Sequence, residues 1–129
     1  MSDTSDGTAA PDVLLIEDAW RFRVAIKAQL MAMGFDVVRL PTLEAGVKLL
    51  SVLDQTRPRL IIADTVGQTD AVTLLPQLQA VAEDIPIVLC TGPYDEQVLD
   101  LDPDNWKVVL VRPFTISDLA ETVVEILGA

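Results

Sequence analysis

Two short runs of this chain, Val13-Leu14-Leu15-Ile16 and Leu60-Ile61-Ile62-Ala63, contain no polar residue, and each stops at a carboxylate: Glu17-Asp18 after the first, Asp64 after the second. A strand with one face in water alternates apolar and polar side chains, whereas a strand covered on both faces is apolar throughout. Both runs therefore belong in the middle of a sheet with layers on either side. A carboxylate has no structural use at the end of such a strand unless that end opens into a site. Side by side and parallel, the two strands would bring Glu17, Asp18 and Asp64 to one rim. Three close carboxylates repel one another, and at neutral pH they call for a divalent cation.

The rest of the chain supplies the matching layers. Strand candidates are Val13–Glu17, Phe35–Leu40, Leu60–Asp64, Ile85–Cys90 and Lys107–Val111. Between and after them lie segments of helical period: Ala19–Met33, Thr42–Leu53, Thr69–Ala82, a short Asp95–Leu101, and Ser117–Leu127. Gly34 stands where a left-handed helix end is expected, and Thr42 and either Thr115 or Ser117 suit helix N-caps. Strict alternation implies an α/β fold with a doubly wound parallel sheet of five strands, a flavodoxin-like (βα)5 arrangement in the order 2-1-3-4-5. In such sheets ligands bind beyond the carboxyl ends of the strands, where the winding direction reverses. Residues 1–11 are small, polar and acidic and read as a flexible arm, with one domain over residues 12–129.

Composition narrows the function. With 20 acids against 9 bases the formal net charge is -11, and the bases are scattered, which argues against a nucleic-acid surface. The absence of histidine removes histidine-based zinc sites and Ser-His-Asp or Cys-His catalysis. The single cysteine, Cys90, lies in an apolar run and suits a small buried hydrophobe. No intramolecular disulfide is possible, and neither a signal peptide nor a membrane-length apolar stretch is seen, so a cytoplasmic location is expected. The aspartates of Asp100-Leu101-Asp102-Pro103-Asp104 do not make a calcium loop. Asn105 stands where that loop needs glycine and Val111 where it needs glutamate.

Four strand-end features remain: the Glu17-Asp18 pair, Asp64, Thr91 with Gly92, and Arg112 before Pro113. In outline they make a phosphoryl-transfer site. Carboxylates hold a metal, one of them attacks phosphorus, and a hydroxyl and a cation receive the oxygens of the transferred group. Taken in order, VLLIED, RLIIAD, IPIVLCTG and VVLVRPF resemble the receiver domain of bacterial two-component response regulators from about Asp12 to Leu127. The resemblance implies that Glu17 and Asp18 bind Mg²⁺ and that Asp64 is the phosphoacceptor. It implies that Val66 lends a backbone carbonyl to the metal, and that Thr91 and Arg112 steady the phosphoryl oxygens. It also implies a cis bond before Pro113. The donor would be a sensor histidine kinase or a phosphotransfer protein, and the output a contact with a downstream protein. The chain would not be an enzyme beyond catalysing its own phosphorylation and dephosphorylation.

This chain departs from the family pattern at several positions. Arg112 stands where the family has lysine, and a planar guanidinium is not equivalent to a compact ammonium. Val109 stands where an aromatic switch residue is common, and the usual Met-Pro turn is missing after Asp64. These departures motivate a second reading: a degenerate receiver that serves as a phosphorylation-independent interaction module. The first helix adds one more expectation. Phe22, Ile26, Leu30 and Met33 should face the sheet, while Trp20, Val24, Ala28 and Met31 recur at the same spacing on the opposite side. A surface helix needs only one apolar face, so the second stripe is a candidate surface for a partner or a homodimer.

Overall fold

The structure, a computed structural model, describes residues 10–53, 57–93, 95, 99 and 103–128. Its strands are β1 (Val13–Ile16), β2 (Val37–Leu40), β3 (Leu60–Asp64), β4 (Ile87–Thr91) and β5 (Val108–Val111). Its α-helices are α1 (Trp20–Ala32), α2 (Leu43–Val52), α3 (Ala71–Ala82) and α4 (Ile116–Leu127), with a 3-10 turn at Pro103–Asn105. The strands form one parallel sheet in the order β2-β1-β3-β4-β5. The doubly wound order expected from the sequence is the order found.

Burial explains why β1 and β3 carry no polar residue. Val13 and Leu15 point into one core with Leu60 and Ile62, covered by Ile26 and Leu30 of α1 and by Leu119, Ala120 and Val123 of α4. Leu14 and Ile16 point the other way with Ile61 and Ala63, onto Leu43 and Leu50 of α2 and Leu75 and Leu78 of α3. Successive strand residues alternate faces, so a central strand with helices on both sides must be apolar at every position. The edge strand β2 is covered less: Val37 is buried while Val38 and Arg39 are exposed. Cys90 and Trp106 are both buried, and Trp106 completes the second core. Gly46, in mid-α2, lets that helix close on β1, since a Cβ there would collide with the Ile16 side chain.

Several boundaries move, each for a local reason. The Thr42 hydroxyl accepts the Ala45 N–H and caps α2. Thr115 caps α4 in a capping box with Asp118, which settles the choice between Thr115 and Ser117. α3 begins at Ala71 rather than Thr69 because Asp70 takes a left-handed conformation (φ 60°) at the N-cap. β2 and β4 start two residues later than expected, and β4 runs on to Thr91. Met33 does not face the sheet. It is the C-cap residue beyond the end of α1 and is exposed, while Gly34 (φ +95°) turns the chain so that Phe35 fills the buried place. Of the expected fourth helix, only Asp95 and Leu99 are among the described residues, and most of the expected arm also lies outside them. No helix among the described residues is long and apolar enough to cross a membrane.

Candidate functional site

The parallel register sets Ile16 beside Ala63 and Asp64 beside Cys90. Glu17, one residue past β1, and Asp64, the last residue of β3, therefore emerge together. Both are almost fully buried, each with about 1% of its surface exposed. Their carboxyl groups are hydrogen-bonded to each other. Asp64 Oδ1 also accepts the Val66 N–H at 2.8 Å, and Glu17 Oε2 accepts the Ala19 N–H at 3.2 Å at the entry to α1.

Arg112 supplies the countercharge. Its Nη2 donates to Asp64 Oδ2 at 2.6 Å and to Glu17 Oε1 at 3.3 Å. The guanidinium turns inward to these two acids rather than outward to the α4 acids Asp118 and Glu121. Two rings hold it there: Phe22 of α1, at 4.8 Å from ring centroid to guanidinium carbon, and Phe114, at 5.5 Å. The rings lie 6.1 Å apart. A guanidinium stacks on aromatic faces in a way an ammonium does less well, so Phe22 and Phe114 give Arg112 a fixed seat. The Arg112–Pro113 bond is cis. Arg112 Nε is buried with no hydrogen-bond partner among the described residues.

Two buried carboxyls thus share one guanidinium. Burial above all, then the hydrogen bond that the protonated carboxyl gives to Asp64 and the charge of Asp64, push the Glu17 carboxyl up to about 8. Ala19 N–H and Arg112 pull in the other direction but less strongly. Burial first, and then the charges of Asp64 and Glu17, also raise the Cys90 thiol well above its ordinary range, which keeps it unreactive.

Asp18 stands apart from this pair. It is exposed, and its carboxylate lies against Gly67 so closely that a Cβ there would come within 2.5 Å of Asp18 Oδ2. Gly67 has φ +80°, so that turn needs glycine for both conformation and space. Among the described residues no group of three acids is placed to hold a metal ion. Where three converging acids were expected, two converge. Asp18 lies in the bend between β1 and α1, where the chain leaves the sheet and turns its side chain outward. The remaining donors are all hard oxygens, the type Mg²⁺ prefers. Glu17, whose burial keeps a proton on its carboxyl, is a ligand that such a cation would ionise and complete.

Thr91 is fully buried, and its hydroxyl bonds to the Thr65 hydroxyl at 3.0 Å and to Asp95 Oδ2 at 3.2 Å rather than to Asp64. The same Asp95 oxygen accepts the Thr65 hydroxyl at 2.7 Å and the Gly92 N–H at 3.1 Å. The roles of Thr65 and Asp95 were not legible in the sequence, because neither sits in an apolar run or a recurring pattern. Phe22 was read only as a core residue, and its second role against Arg112 depends on tertiary contact.

No family model matches the chain. The chemotaxis protein CheY of Bacillus subtilis is 26% identical over 113 residues, 86% of this chain and 92% of that protein. A response regulator receiver protein from Burkholderia phymatum superimposes with a TM-score of 0.73 at 21% identity, covering 92% of this chain and 95% of the other. The receiver domain of a Pseudomonas aeruginosa sensor histidine kinase gives a TM-score of 0.72 at 20% identity, over 94% of this chain and all (100%) of that one. That structure is described with a magnesium ion coordinated in its active-site cleft. The sheet order expected from the sequence and a sequence likeness that spans the same strands agree: this chain has the fold of response-regulator receiver domains and is similar in sequence to a chemotaxis protein.

Proposed function

We propose that this chain works as a receiver, accepting a phosphoryl group on Asp64 from a histidine kinase or phosphotransfer protein and passing the signal on through protein contacts. One observation carries the reading: a buried carboxylate ends the central strand β3, with a guanidinium 2.6 Å from one oxygen and a backbone N–H 2.8 Å from the other. Such an oxygen is aimed and unsolvated, as a nucleophile needs to be. It attacks the phosphorus of the donor, an O–P bond forms, the donor's P–N bond breaks, and its electron pair leaves with the donor nitrogen. Arg112 balances charge on the oxygens during transfer. Mg²⁺ would be held by Glu17 and Asp64 with the Val66 carbonyl, would need the outward-turned Asp18 to swing in as a third carboxylate, and would add charge neutralisation at the phosphoryl oxygens. The domain then acts as a signalling element whose only chemistry is on its own aspartate, in a cytoplasmic setting that suits its one unpaired, buried cysteine.

The test is direct. Incubation with Mg²⁺ and phosphoramidate is expected to add the mass of one phosphoryl group, stable in acid and labile in base. Asp64→Ala should take up none, a loss of at least ~100-fold for removal of the nucleophile. No uptake by the unaltered protein, from either phosphoramidate or a kinase, would instead favour the phosphorylation-independent interaction module. Arg112, already seated on the acceptor, is the observation that keeps that second reading open.

The exposed side of α1 is proposed as the output or self-association surface. Trp20 and Met31 are 61% and 52% exposed, and Val24 and Ala28 lie exposed between them. Replacing Trp20 and Met31 together by glutamate is expected to weaken any dimer or partner complex by ~10-fold or more, as loss of buried aromatic anchors does. Unchanged sedimentation and unchanged partner binding would dismiss this assignment.

A further inference from the structure

We propose that Asp95 is a resident anion, occupying the donors that would otherwise receive the oxygens of a phosphoryl group on Asp64; this rests on the reading of Asp64 as acceptor. The donors form a built set. Thr65 follows Asp64 directly, and its N–H is fixed to the Cys90 carbonyl at 2.9 Å. Thr91 and Gly92 follow Cys90, the residue that Asp64 faces in the sheet. Two hydroxyls and a backbone N–H thus gather beside the acceptor, from the ends of adjacent strands. Thr65 and Thr91 are buried, so water does not satisfy them, and a buried hydroxyl without a partner is unfavourable.

Asp95 Oδ2 satisfies all three donors at once, at 2.7, 3.2 and 3.1 Å. Burial tends to raise its carboxyl. The bonds from Thr65, Gly92 and Thr91 outweigh that, and the group titrates below its ordinary range, so Asp95 is ionised at neutral pH. A carboxylate and a phosphoryl group are both oxyanions that seek hydroxyl and N–H donors. The two cannot hold the same donors, and a phosphoryl group on Asp64 would place further negative charge beside Asp95. Phosphorylation must therefore displace Asp95, and Asp95 opposes it. The direction of this effect is specific: removing the Asp95 charge should help the reaction, whereas damage to a merely structural contact should not.

The experiment compares the unaltered protein with Asp95→Asn and Asp95→Ala, under Mg²⁺ and phosphoramidate, with folding checked by circular dichroism and Asp64→Ala as the blank. Asn keeps an acceptor for the threonines and removes only the charge; Ala removes both. Both variants are expected to gain phosphoryl groups faster, on the order of fivefold, the lower end of an ordinary coupling between two sites. Equal or slower uptake in both folded variants, while Asp64→Ala stays blank, would overturn the role of Asp95 and leave the acceptor reading standing. No uptake by any of these proteins would overturn both. Uptake that persists in Asp64→Ala would move the acceptor elsewhere and remove the basis of the inference.

Discussion

Glu17→Gln is expected to make the protein more stable, by on the order of 3 kcal/mol at about pH 8, and to change little near pH 4.5. The folded protein holds the Glu17 proton up to about pH 8, while an unconstrained glutamate releases it near 4.5. Folding therefore takes up a proton between those values. The stability that this proton confers is complete below about 4.5 and is lost as the pH rises through about 8. Glutamine is uncharged at every pH, can still accept the Ala19 N–H, and leaves Arg112 paired one-to-one with Asp64. Urea unfolding of both proteins at several pH values measures the difference. A gap that does not widen with rising pH would show that Glu17 ionises freely in the fold. By the proposed function the stabilised variant should also be the poorer phosphoryl acceptor, since the crowding that costs stability is what would recruit a cation.

Arg112→Met should have an effect of similar size and opposite sign, a loss of about 3 kcal/mol near pH 8. Methionine keeps much of the volume between Phe22 and Phe114 but removes the guanidinium that bridges Glu17 and Asp64. Taking away one partner of a buried ion pair leaves a charge with no compensation in a dry site, and that penalty exceeds what the pair contributes when intact. Near pH 5 the loss should shrink, because Glu17 is then neutral in the fold. Combining Arg112→Met with Glu17→Gln should cost less than the two separate effects added together, as expected for residues in direct contact. A single variant within about 1 kcal/mol of the parent at both pH values would mean that the pair is solvated and Arg112 a surface residue.

The architecture was legible because it rests on local pattern. Leu14 and Leu15 face opposite cores, yet both are apolar, and that alone announces a strand with helices on both sides. From there the alternation of elements leaves few ways to connect them, and order 2-1-3-4-5 is one of the simplest. Helix ends were legible wherever a side chain does the capping, as at Thr42 and Thr115. They were less so at Asp70, whose left-handed backbone no sequence rule demands, and at Met33, where the turn at Gly34 gave the buried place to Phe35.

Which carboxylates ended up together was a different matter. From sequence, Glu17 and Asp18 are equivalent neighbours, and Arg112 could equally have faced Asp118 or Glu121. The chain itself determined that acids stand at the ends of its two central strands and that a threonine and an arginine stand at the ends of the next two. Tertiary structure alone decided that Glu17 turns inward and Asp18 outward, that Phe22 and Phe114 clamp Arg112 onto the pair, and that Asp95 takes the hydroxyls of Thr65 and Thr91. Strand and helix periodicity is written in neighbours along the chain. Charge pairing is set by distances of a few ångströms between residues far apart in sequence, and those distances exist only once the sheet has assembled.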